Sequence, residues 1–277
     1  MNEDLQQPDP RSSAVAHPRL DELIRRARER AGTRAMTVGL VYPCDNLAVD
    51  AAAQIVAAGI ARPILIGPAQ SIARAAGAAG VDVAQIEIID TPDAGPEAAL
   101  RATTLAREGV LGALMKGALH TDELMSAVVN KASGLRGDSR ISHAFVFDLP
   151  RYPKLLALAD CVVNIAPNLQ TKRDIVGNAI ALLQRIGIAQ PKVGIVAAIE
   201  TVNPAIPATV DARALVQMAR QGAWPGALVE GPLGFDNAIS AEAARIKKID
   251  SQVSGDADLL IMPDLNAGNM LYKSFNY

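Results

Sequence analysis

Short apolar runs alternate along the chain with longer segments in which apolar residues recur every three or four positions. The runs Thr37–Val41, Pro63–Ile66, Ile86–Ile89, Gly112–Met115, Ala144–Phe147, Cys161–Ile165, Lys192–Ala197, Ala227–Val229 and Leu259–Met262 predict strands. Most are rich in Val, Ile and Leu without strict alternation, the pattern of strands covered on both faces. Between them, Leu47–Ala58, Gly95–Glu108, Thr171–Ile186 and Asp211–Arg220 are Ala-rich with helical spacing and predict amphipathic helices. Thr171 stands in N-cap position with Asp174 three residues on, and Gly187 stands where a C-terminal cap would. Alternation of this kind predicts an α/β fold with mostly parallel sheets.

The polar, Gly- and Ser-rich stretch Lys131–Arg140 divides two α/β blocks of similar size. A second crossing is expected near Pro263–Asn269, and a ligand cleft is expected between the blocks, where small-molecule sites concentrate. Ala267–Tyr277 reads as a helix that begins and stops without a cap. The resulting division is a disordered leader over 1–18, a first domain over 19–139 and a second over 140–265, with 266–277 returning to the first.

Composition narrows the function classes. At 277 residues the chain is long enough for two domains. A net charge of -2 leaves no basic footprint, and aromatics at 3% supply no stacking platform, so nucleic acid is not an expected partner. Gly, Pro or a charge interrupts every apolar run before the roughly 18 residues a membrane span needs. The polar, Pro-rich start lacks the apolar core of a signal peptide, and the two widely spaced cysteines, Cys44 and Cys161, read as free thiols. Both observations point to the cytoplasm.

The familiar loops for dinucleotides and phosphates, the GxSxG elbow and metal-ligand spacings among His17, His120 and His143 are all missing. What remains are polar clusters at the C-terminal ends of predicted strands, where parallel sheets place ligands. After Gly112–Met115 come Lys116, His120 and Thr121. Thr121 can cap the next helix and leave an anion-attracting N-terminus, or the cluster is simply a capping turn. The stretch SRISH at 139–143 puts Arg140 at the block boundary, and its planar fork suits either phosphate or a salt bridge. Asp236 and Asn237 follow the strand Ala227–Val229, Asn164 lies in NIAPNL, and PDLNAGNMLYK runs from Pro263 to Lys273. Each of these can hold a ligand or only shape a turn.

In their order and separation these clusters resemble the phosphate acetyltransferase/butyryltransferase family. The resemblance rests on MKGALHTDEL at 115–124, SRISHAFVFDLP at 139–150, NIAPNLQTKRDIVGNAI at 164–180, EGPLGFDNAIS at 230–240 and GDADLLIMPDLNAGNMLYK at 255–273. The HTDEL and FVFDLP details look closer to the butyryltransferase-like branch. It implies a two-domain, three-layer αβα fold like that of isocitrate and isopropylmalate dehydrogenases, usually homodimeric. It further implies reversible transfer of a short-chain acyl group between coenzyme A and inorganic phosphate, with no tightly bound cofactor and no metal. A catalytically silent domain that senses acyl-CoA or acyl phosphate is the alternative.

Residue by residue, the resemblance implies that Arg140 contacts phosphate or acyl phosphate with Ser139 and Ser142 beside it. His120 and Thr121 would line the cleft from the first domain, with His120 counted beside Arg140 and Ser142 as catalytic. Asp236, Asn269 and Lys273 would border the acyl-CoA region, and Lys116, Ser139 and Asn164 are further expected substrate-binding residues. Two departures stand out. Where many relatives carry an Arg in the helix after the HT motif, this chain has Met125, Ser126 and Ala127. The family also continues beyond AGNMLYK with a strand, an SR turn and an Asp base, which leads to the expectation of a further segment after Tyr277.

Overall fold

A computed structural model describes residues 16–276, so most of the expected leader lies outside the described residues. The chain divides into two compact units, Glu22–Asp138 and Ser139–Tyr277, the latter joined by the residues up to Asp21. Helix α1 (Pro18–Arg34) runs through that division and opens on Pro18, which suits a first helical position. The apolar pattern did not reveal it. Its sequence is dominated by charge, and Arg25 pairs with Glu22 and Glu29 one turn away on either side.

In the 22–138 unit the order is β1 (Met36–Val41), α2 (Asn46–Ala58), β2 (Ala61–Ile66), α3 (Ala69–Ala79), β3 (Glu87–Ile89), α4 (Gly95–Arg107), β4 (Ala113–Lys116) and α5 (Thr121–Val128). The strands form one parallel sheet in the order β3-β2-β1-β4, with Leu40 opposite both Leu65 and Met115. Alternate side chains face opposite layers. Leu40 and Leu65 pack with Ala52 and Ile72 of α2 and α3, while Val41, Ile64 and Ile66 pack with Ala98, Ala99 and Ala102 of α4. Covering both faces explains why these strands read as unbroken apolar runs.

In the 139–277 unit the order is β5 (Ala144–Phe147), β6 (Leu156–Ala159), α6 (Leu169–Arg185), β7 (Lys192–Val196), α7 (Pro207–Arg220), β8 (Leu228–Leu233), α8 (Phe235–Ile239), α9 (Ala241–Ile246), β9 (Leu259–Ile261) and α10 (Leu265–Asn276). The sheet order is β5-β6-β9-β7-β8, all parallel except that β5 runs antiparallel to β6. The Pro-containing link between β5 and β6 is too short for a crossover helix, so the chain reverses instead. One face packs on Ile175, Val176, Ala179 and Leu183 of α6 and on Ala212 and Leu215 of α7. The other face packs on Ala238 of α8 and on Leu271, Tyr272 and Phe275 of α10.

Three sequence expectations change. The strand expected at Cys161–Ile165 is a turn, and the strand lies just before it as β6. Asp160 ends β6 by accepting the N–H groups of Val162 and Val163 at 2.8 and 2.9 Å, which withdraws those groups from any ladder. Helix α6 is capped by Asn168, whose side chain accepts from the Thr171 N–H at 2.9 Å, so Thr171 is already inside the helix. Finally, of the segment 266–277, expected with the first domain, the described residues lie in α10 within the 139–277 unit. Tyr272 and Phe275 there stack on Phe145 and Phe147, with ring centroids 4.5 and 5.1 Å apart. Among the described residues no helix is long and apolar enough to cross a membrane.

Candidate active site

In the 22–138 unit, parallel strands bring the turns after β1 and β4 side by side at one sheet edge. The N–H groups of Gly117 and Ala118 donate to the carbonyls of Val41 and Tyr42, each at 2.8 Å. Gly117 is required by this approach, since a Cβ there would sit 2.5 Å from the Tyr42 carbonyl oxygen. Lys116 turns its ammonium back onto the same turn, donating to the Leu119 carbonyl at 2.8 Å and the Gly117 carbonyl at 3.1 Å. His120, and not Thr121, occupies the cap position of α5; Glu123 accepts the His120 N–H at 2.7 Å, and Thr121 is the first helical residue. Lys116, His120 and Thr121 are all exposed. Nearby, the Tyr42 hydroxyl donates to Asp93 at 2.6 Å, and that bond, with some burial, pushes its pKa up to about 12.

The 139–277 unit builds its strand-end surface differently. Because β5 runs antiparallel to β6, the segment leading into β5 arrives at the edge where β6, β9, β7 and β8 end. Asp160, only 3% exposed, stands at the end of β6. Its Oδ2 accepts from the His143 N–H at 3.1 Å and from Asn164 Nδ2 at 2.7 Å, while Asn164 also donates to the Ile141 carbonyl at 3.1 Å. From α6, Asp174 accepts the Arg140 N–H at 3.1 Å, and Asn178 Nδ2 donates at 2.9 Å to both the Arg140 carbonyl and Ser142 Oγ. The backbone around Arg140 is thus fastened on several sides. Its guanidinium is exposed and makes no ion pair or hydrogen bond among the described residues.

Asn269 joins the same edge by donating to the Cys161 carbonyl at 3.3 Å. Gly268 lets α10 come close, since a Cβ there would lie 2.5 Å from the Asp160 carbonyl oxygen. Buried beneath, the Cys161 thiol is pushed up to about 12 by loss of solvent, while burial holds His143 below the ordinary histidine value. His143 Nδ1 has no hydrogen-bond partner among the described residues.

At the ends of β7 and β8, Glu200 accepts from Asn237 and from the Lys247 ammonium, the latter at 2.6 Å, and Asp236 lies 3.7 Å from the same ammonium. The Lys247 contact holds the Glu200 carboxyl below its usual range.

Of the residues singled out from sequence, the structure gathers Arg140, Ser142 and Asn164 with Asn269, and sets Asp236 on the same sheet edge. Ser139 is exposed at the start of the unit. Lys273 is not brought to the turn: it lies eight residues beyond Leu265, about 12 Å along α10. The sequence reading missed Asp160, Asp174 and Asn178. A signal existed for the last two, whose spacing of four inside the TKRDIVGNAI stretch puts them on one helix face.

A cavity of about 490 Å³ beside edge strand β8 and another of about 320 Å³ lined by Asp90, Glu97 and Arg101 contain none of these residues. Among the described residues no His, Cys, Asp and Glu cluster suits a metal ion. Within each unit the strand edge offers hydrogen-bond donors and fixed charge.

Residues 96–277 match the family model described as phosphate acetyl/butaryl transferase. The chain belongs to this family. A phosphate acetyltransferase of Rhizobium meliloti is 46% identical over 257 residues, covering 93% of this chain and 80% of that protein. A phosphate butyryltransferase of Clostridium acetobutylicum is 39% identical over 219 residues, covering 79% of this chain and 72% of that protein. Among solved structures, a branched-chain phosphotransacylase from Enterococcus faecalis superposes with a TM-score of 0.75 at 27% identity, covering 87% of this chain and 84% of that one. Both acyl names occur among the relatives of this family member.

Proposed function

We propose that this family member is an acyltransferase that moves a short-chain acyl group reversibly between coenzyme A and inorganic phosphate. The single observation that carries the reading in the structure is the Arg140 guanidinium, uncommitted on a backbone fastened from both sides, within a chain matching the family model over 96–277.

In the direction that consumes acyl phosphate, the CoA sulfur attacks the acyl carbonyl and gives up its proton to a base. The C–S bond forms, the bond from carbon to the phosphate oxygen breaks, and phosphate leaves with the electron pair. Charge grows on the carbonyl oxygen and then on the departing phosphate. A planar, permanently charged fork held in place suits both, and removing such a donor from an acyl-transfer site costs about 10²–10³-fold. Ser139 and Ser142 stand beside Arg140 in this reading. In the same reading His120 joins the catalytic residues, and Lys116, Thr121, Asn164, Asp236 and Asn269 meet the substrates.

The finer picture extends to an isocitrate-dehydrogenase-like two-domain fold, a homodimer in the cytoplasm, and substrates that come and go without a tightly bound cofactor. The test is thiol release from acetyl-, propionyl- and butyryl-CoA, with and without phosphate, by the protein expressed from its own gene. Phosphate-dependent release supports the reading. Folded protein that binds acyl-CoA but releases no thiol with any of the three would replace it with an acyl-CoA-sensing role.

A further inference from the structure

We propose that Asp160 and Asn178 are positioning residues that set the phosphate affinity of the enzyme by holding the Arg140–His143 segment, an inference that rests on the acyltransferase reading above. Asp160 is 3% exposed and accepts four hydrogen bonds, from the N–H groups of Val162, Val163 and His143 and from Asn164 Nδ2. A carboxylate this deep has a large desolvation cost, which is offset only when its oxygens are fully engaged. Its four donors come from two different segments, so the group ties the turn after β6 to the segment entering β5.

Asn178 performs the complementary task from α6. One amide nitrogen meets both the Arg140 carbonyl and Ser142 Oγ at 2.9 Å. Asp174, one turn earlier on the helix, takes the Arg140 N–H at 3.1 Å. Both polar backbone groups of Arg140 are thereby engaged, and its guanidinium is left to meet an anion. Neither Asp160 nor the Asn178 amide needs to touch substrate for this purpose. Their effect passes through Arg140.

The test is a pair of double-mutant cycles on the protein expressed from its own gene, with Asp160→Asn, Asn178→Ala and Arg140→Ala made singly and in combination. Asp160→Asn turns one accepting oxygen into a donor facing N–H groups. Asn178→Ala removes the amide at a half-buried helix position that alanine suits. The expected result is a rise in phosphate KM of about tenfold in Asp160→Asn and in Asn178→Ala, because small misplacements of a charged contact are costly. In Asn178→Ala, which touches only the Arg140–Ser142 segment, acyl-CoA KM should stay within about twofold. Neither change should raise phosphate KM further when added to Arg140→Ala, since residues acting through one group are not additive.

Should Asp160→Asn fail to fold, Asn178→Ala carries the same test. Effects that multiply with Arg140→Ala, or a phosphate KM unchanged in a folded variant while Arg140→Ala raises it, overturn the inference and leave the acyltransferase reading standing. A wild-type protein with no phosphate-dependent release removes both.

Discussion

The two units end their parallel strands in polar turns, yet they hold those turns by different means. In the 22–138 unit the turn after β4 is fastened by backbone bonds from Gly117 and Ala118 to the end of β1, and Lys116 folds back onto the carbonyls of its own turn. In the 139–277 unit the corresponding work is done by the side chains of Asp160, Asn164, Asp174 and Asn178. Burial follows the same divide. Of the buried polar side chains among the described residues, only Thr103 lies in the 22–138 unit, whereas Asp148, Asp160, Thr171, Lys172, Thr209, Asn237 and Asp258 lie in the other. A turn held by backbone depends on close approach and tolerates changes of charge. One held by buried side chains depends on the identity of each group, because a buried partner left alone costs more than the bond was worth.

The largest effect expected from this contrast is on activity. Arg140→Ala removes an uncommitted charge from a fastened backbone and should lower kcat/KM for phosphate by about 10²–10³-fold. Lys116→Ala removes an ammonium already engaged with two carbonyls, and should lower it by about tenfold or less. Steady-state thiol release at varied phosphate compares the two. Equal losses would mean that both turns present charge to substrate alike, and the contrast would fail at its functional end.

Stability should divide in the same way. Lys172 is 7% exposed and reaches Asp211, 27% exposed, at 2.8 Å. Replacing Asp211 by Leu strands a buried ammonium and should cost about 3 kcal/mol in urea unfolding. The exposed pair of Arg62 and Glu87, at 3.0 Å in the 22–138 unit, should lose under about 1 kcal/mol on Glu87→Ala. For that unit the sensitive position is a glycine. Gly117→Ala drives a Cβ to within 2.5 Å of backbone oxygen and should cost about 2 kcal/mol, a close-packing penalty rather than an electrostatic one. Salt should leave the Gly117→Ala loss unchanged, and a loss that varied with salt would contradict its assignment.

Much of the architecture was legible because it rests on local pattern. Ala144–Phe147 was read to the residue, and the run at Leu259 was read to within one, since apolar runs of that length suit strands covered on both faces. β6 was misplaced for a local reason: Leu156–Ala159 has no β-branched residue, whereas the neighbouring Val162, Val163 and Ile165 do. Pairing with β9 and the Asp160 turn override that preference. Helix α1 escaped notice because its faces are mostly charged. At the site, Arg140 was visible as a residue type at a boundary. The groups that hold it were not, because Asp174 and Asn178 act on positions 34 and 36 to 38 residues away, and only the folded sheet brings them together.

The smallest effect tests whether the side-chain network of the 139–277 unit carries charge or only shape. The Lys247 ammonium holds Glu200 below its usual value of 4.5, against the opposing effect of burial and with a further contribution from Asn237. A carboxylate whose folded pKa is depressed stabilises the fold above its unfolded value, and that stability is lost as pH falls through the folded value. The gap between wild type and Glu200→Gln should therefore be constant from neutral pH down to about pH 5 and close below 4.5. With Lys247 45% exposed and Glu200 26%, solvent screening keeps the gap small. Melting temperatures of the two proteins between pH 7 and pH 3 provide the measurement. A gap that persists through acid would assign Glu200 to packing against Asn237, and this strand end would then resemble the backbone-held turn of the other unit.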